Sequence, residues 1–339
     1  MLRNSVLGIG LCVGACASSS TLLPTMTSVD GTDFTALDIK IGDVDTTAYL
    51  SPSVVEGSPL LLLIQGSGCD SVFRRNPTGS LQGTAGQDVL AQLSNGRSRV
   101  VVVEKPHVAL GQNKGGGGLS DCSDAFRADH SLENWTHALG EALDSVKTSL
   151  DLDGGDVRVL GLSEGAVTAA RLASLRDDIS HVAFIGGHGC HQLDDMIVTA
   201  RRNWLQRHPD ATTEEKQAGA AEAMEASETV IASIAETPTD TSADIWGQTA
   251  LFWSTFGTAC PARDLADADA DVFVAYGTED EQVVADGVEE IVSRRILAGR
   301  PVEAVRIVGG NHVLQVQGDT SPFARMIDVF QRALDWMQT

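Results

Sequence analysis

Basic residues are scarce in this sequence. Only 24 Lys and Arg stand against 46 Asp and Glu, a formal net charge of −22. With so few cations the chain has no basic face to lay on a phosphate backbone or on anionic lipid, so nucleic-acid partners and electrostatic membrane docking are excluded. The acidic surplus reads instead as a solvated surface that keeps the protein soluble. Long hydrophobic runs are missing too: none reaches the roughly 20 residues of a bilayer span. The phosphate-loop pattern G-x-x-x-x-G-K-[ST] is absent. The Gly-rich run Lys114-Gly115-Gly116-Gly117-Gly118 therefore reads as a surface loop, and no cofactor is expected. No repeat near 40 residues marks propeller blades. One His/Cys cluster, His188-Gly189-Cys190-His191, lacks a carboxylate or second Cys at zinc-like spacing, so it reads as a structural loop and no metal is expected.

The amino terminus is set apart from the fold. A single Arg3, the short apolar run from Val6 to Val13 and the small residues before Cys16 have the form of a cleaved signal, residues 1–15. Val13-Gly14-Ala15-Cys16 also resembles the lipobox of bacterial lipoproteins. That resemblance implies a lipidated Cys16, a tether over 16–32 and membrane contact through the lipidated N-terminus only. Ala17, where Asp would signal inner-membrane retention, implies an outer-membrane lipoprotein facing the periplasm or the surface; the alternative is an ordinary secretory signal and a soluble periplasmic protein. Of the 6 cysteines, Cys12 and Cys16 fall in the leader region. The other four suit disulfides in an oxidising compartment. The favoured pairing is Cys69–Cys122, joining loops after adjacent strands, with Cys190–Cys260 pinning both ends of an insertion. Four free thiols would fit a cytosolic protein better.

Hydrophobic patterning predicts a strand–helix alternation. Thr35–Lys40 and Thr46–Leu50 alternate apolar and polar residues around Gly42-Asp43, as an edge hairpin does. Leu60–Ile64, Val100–Val103, Val182–Ile185, Val272–Tyr276 and Val305–Val308 are short apolar runs suited to strands buried on both faces. Helices are predicted over Leu81–Leu93, Leu132–Leu150, Val283–Leu297 and Phe323–Met337. Between Cys190 and Cys260 strand signals vanish, and three helical stretches appear: Gln192–Arg207, Thr213–Ala235 and Ala243–Phe256. The expected class is α/β, a mostly parallel, doubly wound sheet. Its core spans 33–189 and 261–339, interrupted by a helical insertion at 190–260.

The stretch Asp156–Arg176 organises the rest. Val157, Val159 and Leu160 supply a strand, Gly161-Leu162-Ser163-Glu164-Gly165 a sharp turn, and Ala166, Ala169, Ala170 and Ala173 a helical stripe. Strand, G-x-S-x-G, helix resembles the nucleophile elbow of the α/β-hydrolases. Other strand ends carry the companions that the family's order requires. Of the 8 histidines only His312 follows the last predicted strand, in Gly309-Gly310-Asn311-His312. The preceding loop, Gly277-Thr278-Glu279-Asp280-Glu281-Gln282-Val283, resembles the family's G-x-x-D-x-x-V string and selects Asp280, with Glu279 as fallback and Asp194 or Asp195 more remote.

The family resemblance implies an α/β-hydrolase sheet with an α-helical cap. It also implies an oxyanion hole built from the Glu164 N–H and a backbone N–H after Leu60–Ile64, where Gln65-Gly66-Ser67-Gly68 is similar to a His-Gly motif with Gln for His. Ser67 is expected to donate, with Gly68 the alternative. The Ser-Glu-Gly elbow is similar to prolyl-oligopeptidase-like and esterase domains. The implied activity is a cofactor-independent serine hydrolase. Ser163 would attack a small carboxylic ester, His312 would act as base and then acid, and Asp280 would orient it. A peptidase of short peptides would need a charge such as Arg74, Arg75 or Glu164 to hold a substrate terminus. A non-catalytic binding lipoprotein on the same fold is the rival from another class. The aromatic residues Trp204, Trp246, Phe252, Trp253 and Phe256 suit either an acyl pocket or the insertion's own core.

Overall fold

The computed structural model describes residues 26–339 apart from 53, 54, 56, 114–118, 120, 153 and 322. The leader 1–15, Cys16, most of the tether and the Gly-rich loop lie outside the described residues. Strands β1 (Thr27–Ser28), β2 (Thr35–Ile41), β3 (Val44–Leu50) and β4 (Leu60–Ile64) come first in the chain. They are followed by β5 (Phe73–Arg75), β6 (Leu81–Gly83), β7 (Arg99–Val103), β8 (Val157–Leu162), β9 (Ile179–Ile185), β10 (Asp271–Gly277) and β11 (Val302–Ile307). The main sheet runs β1-β2-β3-β7-β4-β8-β9-β10-β11. From β7 to β11 every pairing is parallel, and β1 to β3 extend one edge antiparallel. The fold thus starts inside the predicted tether, since Ser28 pairs with Thr35 and Val29 is buried.

Why β4 is uniformly apolar is explained by its two neighbours. Successive side chains of a strand point to opposite faces. Leu60, Leu62 and Ile64 belong to the buried cluster on the face covered by α3 (Leu132–Ser149), α4 (Glu164–Leu175) and α9 (Ala285–Leu297). Leu61 and Leu63 belong to the cluster on the opposite face, covered by α1 (Gln87–Ser94) and α10 (Ala324–Trp336). All five are essentially inaccessible, and each contributes about 1.5–3 kcal/mol by leaving water. In α3, Leu132, Trp135, Leu139, Leu143 and Val146 form the buried stripe, and Ser131 caps the helix by accepting the Asn134 N–H at 3.2 Å.

Two predicted helices are shorter than expected. Leu81–Gly83 pairs with Phe73–Arg75 instead of opening a helix, because Gly83 and the left-handed Gly86 (φ 89°) interrupt the run before α1. Ala243–Phe256 yields only α7 (Ala250–Thr255). Trp246 and Gly247 take positive φ there, Asp244 accepts the Gly247 N–H at 2.8 Å, and Thr249 caps α7 by accepting the Phe252 N–H at 3.0 Å. Conversely, the loop after β7 contains an unpredicted short helix, α2 (Asp124–Asp129), capped by Ser123. The insertion also holds α5 (Gln192–Arg207) and α6 (Thr213–Glu236), and α8 (Pro261–Asp267) leads back to the sheet. Disulfides join Cys69 to Cys122 and Cys190 to Cys260. Among the described residues no helix is long and apolar enough to cross a membrane.

The β8–α4 junction is a crowded crossing of backbone on backbone. A Cβ on Gly161 would collide with the Gly165 carbonyl, and one on Gly165 with the Ile64 carbonyl. Backbone cannot step aside as a flexible side chain can. Gly165→Ala is therefore expected to lower stability by at least about 2 kcal/mol, read as a reduced urea midpoint; an unchanged midpoint would contradict the crowding.

Glu104, directly after β7, is buried and accepts Ser71 Oγ at 2.8 Å and the Val72 N–H at 3.1 Å. Burial pushes its carboxyl up from 4.5 to about 8, although Ser71, Val72 and Lys105 pull it down. Between those two values the native state holds a proton that the unfolded chain has released, so stability falls as pH rises through that window. Melting temperatures from pH 5 to 8 should decline more steeply in wild type than in Glu104→Gln, whose side chain stays neutral.

Candidate active site

Ser163 sits between β8 and α4 with φ 55° and ψ −120°, a strained combination for a residue with a Cβ. Its own N–H is bonded to the Ile185 carbonyl at 2.9 Å. That bond and the two crowded glycines hold the turn so that the hydroxyl stands at the carboxyl edge of the sheet, over the amino end of α4.

His312 reaches it from the loop after β11. Its Nε2 lies 3.0 Å from Ser163 Oγ, and its Nδ1 lies 2.8 Å from Asp280 Oδ2. The other Asp280 oxygen accepts the Gln282 and Val283 N–H groups at 2.7 and 3.1 Å, which fixes the carboxylate plane. Arg202 of α5 donates to the Asp280 carbonyl at 2.6 Å. The two loops are bonded to each other: Glu279 N–H donates to the Gly310 carbonyl, and Gly309 N–H to Thr278 Oγ1, both at 2.9 Å. A side chain on Gly277 would strike the Gly310 carbonyl, so the loops close only over a glycine. Serine, imidazole and carboxylate in one hydrogen-bonded line can move a proton from the hydroxyl to the ring while the carboxylate compensates the ring's charge. The alternative acids lie elsewhere. Glu279 and Asp194 are exposed. Asp195 is buried, accepts the Val284 N–H at 3.2 Å, and is pushed up to about 7 by burial.

Loop 65–68 abuts the elbow: a Cβ on Gly66 would lie 3.5 Å from Ser163 Cβ. Ser67, Ser163 and Glu164 line one cavity of about 330 Å³. Glu164 opens α4, so its N–H has no intrahelical acceptor, and the residue lines the same cavity as the serine. Gln65 is buried beside them, and its side-chain amide finds no protein partner among the described residues.

The cavity's far wall is aromatic. Trp246, Phe252, Trp253 and Phe256 line it, with Gln192, Gln248 and Gln282 around them. Trp204 does not take part; it stacks on His208 with ring centroids 4.2 Å apart, at the far end of α5. Neither arginine of the β5–β6 ribbon lines the cavity, and Arg74 and Arg75 are exposed. His188 does line it, buried and held down near 4 by that burial, next to the Cys190–Cys260 disulfide.

Sequence reasoning missed the charges beneath the site. The Glu164 side chain is buried against Lys105 Nζ at 2.9 Å and His130 Nε2 at 3.2 Å. Burial raises its pKa, but Lys105 and His130 outweigh that and hold the carboxyl down to about 2. His130 is itself pushed down, by burial first, and stacks on Phe126 at 4.5 Å. Lys105 and His130 stand at the end of a strand and of a short helix. Nothing in their local sequence marks them, because their partner lies tens of residues away.

No protein-family model matches the sequence, and no curated relative is found by sequence. Solved structures do resemble it. Pyrococcus horikoshii acylaminoacyl peptidase aligns with TM-score 0.60 at 12% identity, over 91% of this chain and 42% of its own. A thermostable carboxyl esterase from Bacillus coagulans aligns with TM-score 0.55 at 11% identity, over 91% and 98% of the two chains. Est1E from Butyrivibrio proteoclasticus gives 0.51 at 14%, over 89% and 97%. With the parallel sheet, flanking helices and sharp strand–helix turn already described, these likenesses identify the architecture as the α/β-hydrolase fold.

Proposed function

We propose that the protein is a serine hydrolase that cleaves a small carboxylic ester through an acyl-enzyme on Ser163. The observation that carries this reading is the unbroken hydrogen-bond line Asp280–His312–Ser163, at 2.8 and 3.0 Å. His312 takes the serine proton as the hydroxyl attacks, returns it to the leaving alcohol, and then activates water to clear the acyl group. Asp280 holds the ring's tautomer. Ser67 and Glu164 N–H groups receive the oxyanion. The helices of 190–260 act as a cap whose aromatic wall takes the acyl part of the substrate.

Ester is favoured over peptide by the cavity's lining. Among the described lining residues the only carboxylate is Glu164, and that is already paired with Lys105 and His130. The same residues include no Lys or Arg for a peptide carboxylate. The esterases and the peptidase that share the fold are compatible with either bond, so the choice rests on this wall. The two disulfides fit an oxidising compartment, in keeping with export by the leader and with lipidation at Cys16 as part of the same proposal.

A fluorophosphonate probe should label wild type and leave Ser163→Ala unlabelled, and p-nitrophenyl ester hydrolysis should fall at least about 1,000-fold in Ser163→Ala. Asp280→Asn should lower kcat by a comparable order with little change in KM. Faster turnover of aminoacyl anilides than of p-nitrophenyl esters would move the reading to a peptidase. A folded wild type that takes up no label would leave only a binding module.

A further inference from the structure

One buried ammonium touches both halves of the oxyanion hole assigned above. Lys105 is fully buried, and its Nζ donates to the Gly66 carbonyl at 2.8 Å, the Gly68 carbonyl at 3.1 Å and Glu164 Oε1 at 2.9 Å. An ammonium has three donors and no acceptor, so its capacity is filled by these three. Two of the acceptors belong to the loop after β4, and the third belongs to the first residue of α4.

The Gly66 contact has a geometric consequence. Gly66 C=O and Ser67 N–H are the two ends of one peptide unit. In a planar trans peptide they point in opposite directions, and no cis peptide occurs among the described residues. A cation anchored on the carbonyl therefore turns the Ser67 N–H away from Lys105. Gly66, on the carbonyl side of this peptide, has no Cβ and so offers little steric resistance to its flipping, and Gly68 (φ 96°) loosens the backbone one residue further on. The charge-assisted bond supplies what the glycines do not, and it also polarises the amide, making its N–H a stronger donor. The same lysine holds the Glu164 side chain, and so the start of the helix that presents the second N–H.

We propose that Lys105 is a positioning residue of the oxyanion hole: it locks the Gly66–Ser67 peptide with its N–H toward the reacting carbonyl and ties that loop to the elbow through Glu164. This role rests on the hydrolase reading above. Lys105 touches no substrate; it acts through two backbone groups.

Losing one oxyanion donor outright costs an enzyme about 100- to 1,000-fold in kcat. Releasing a donor from its preferred orientation should cost less. In Lys105→Met, kcat on a p-nitrophenyl ester is expected to fall about 10- to 100-fold, with KM within about 3-fold. Affinity for an alkyl boronic acid, which forms a tetrahedral anion on the serine, should fall by the same factor as kcat. The single variant also strands the Glu164 carboxylate in the interior, so Lys105→Met/Glu164→Gln is measured beside it. Removing both charges should restore the melting temperature while kcat stays low. Recovery of kcat together with the melting temperature would reduce Lys105 to a counterion and overturn the proposal.

If neither variant folds, a crystal structure of wild type phosphonylated at Ser163 decides. Ser67 N–H on the phosphonyl oxygen with Lys105 still on the Gly66 carbonyl supports the role; a phosphonyl oxygen bound elsewhere, or a detached lysine, overturns it. Labelled wild type with unchanged Lys105→Met kinetics rejects this role alone, whereas wild type that takes no label rejects the hydrolase reading and the role with it.

Discussion

The crossing of β8 into α4 is the constraint to which the other parts of the molecule answer. Ser163 adopts a backbone conformation that costs of order 1–3 kcal/mol, and it persists because Gly161, Gly165 and the Ile64 carbonyl leave the chain no other path. For β4 to supply that carbonyl it must lie next to β8 and be covered on both faces, hence the uninterrupted Leu60–Ile64 run. For His312 and Asp280 to meet the serine, their strands must follow in order along the same sheet edge. The parallel order β4-β8-β9-β10-β11 brings them there.

Buried charge is the second organising feature. Glu164 lies within hydrogen-bond reach of both Lys105 and His130, in an interior that punishes any unpaired member. Glu104 sits next to Lys105 in sequence yet answers to Ser71 and Val72. The loop that contains Gly66 to Cys69 is held by the Cys69–Cys122 disulfide at one end and by an ammonium in the middle. The opposite wall of the cavity is built differently, from aromatic side chains of the insertion packed edge to face, such as Trp246 against Trp253 at 5.6 Å.

Much of this arrangement was legible in the residues. Apolar runs bounded by glycine give buried strands their signature, and the restriction of His312 to the end of the last strand pointed to a single imidazole. Asp280 was selected by its resemblance to the family's G-x-x-D-x-x-V string; the structure sets it 2.8 Å from His312 and leaves Glu279 exposed. Three things were not readable, each for a physical reason. Left-handed residues made two helices begin late, after Gly86 and after Trp246 and Gly247: a Trp at positive φ, as at 246, is held by the Asp244 turn and cannot be seen in propensity. The aromatic residues of the insertion divide between cavity and helix pair according to tertiary packing, so Trp204 and Trp253 look alike in sequence. And an ion pair between residues 105 and 164 has no local pattern, because only the sheet's strand order makes them neighbours.

Glu164 belongs to two environments at once: the residue lines the cavity while its carboxylate is sunk in the protein against Lys105 and His130. A turn of this kind is not a portable cassette. Moving the pentapeptide Gly161–Gly165 into a related scaffold would carry an acid into an interior without its lysine and imidazole, and replacing Glu164 by an apolar residue here would orphan a lysine. Directed evolution of this turn would thus have to travel through simultaneous changes at 105, 130 and 164, a coupled set that single-site libraries do not sample.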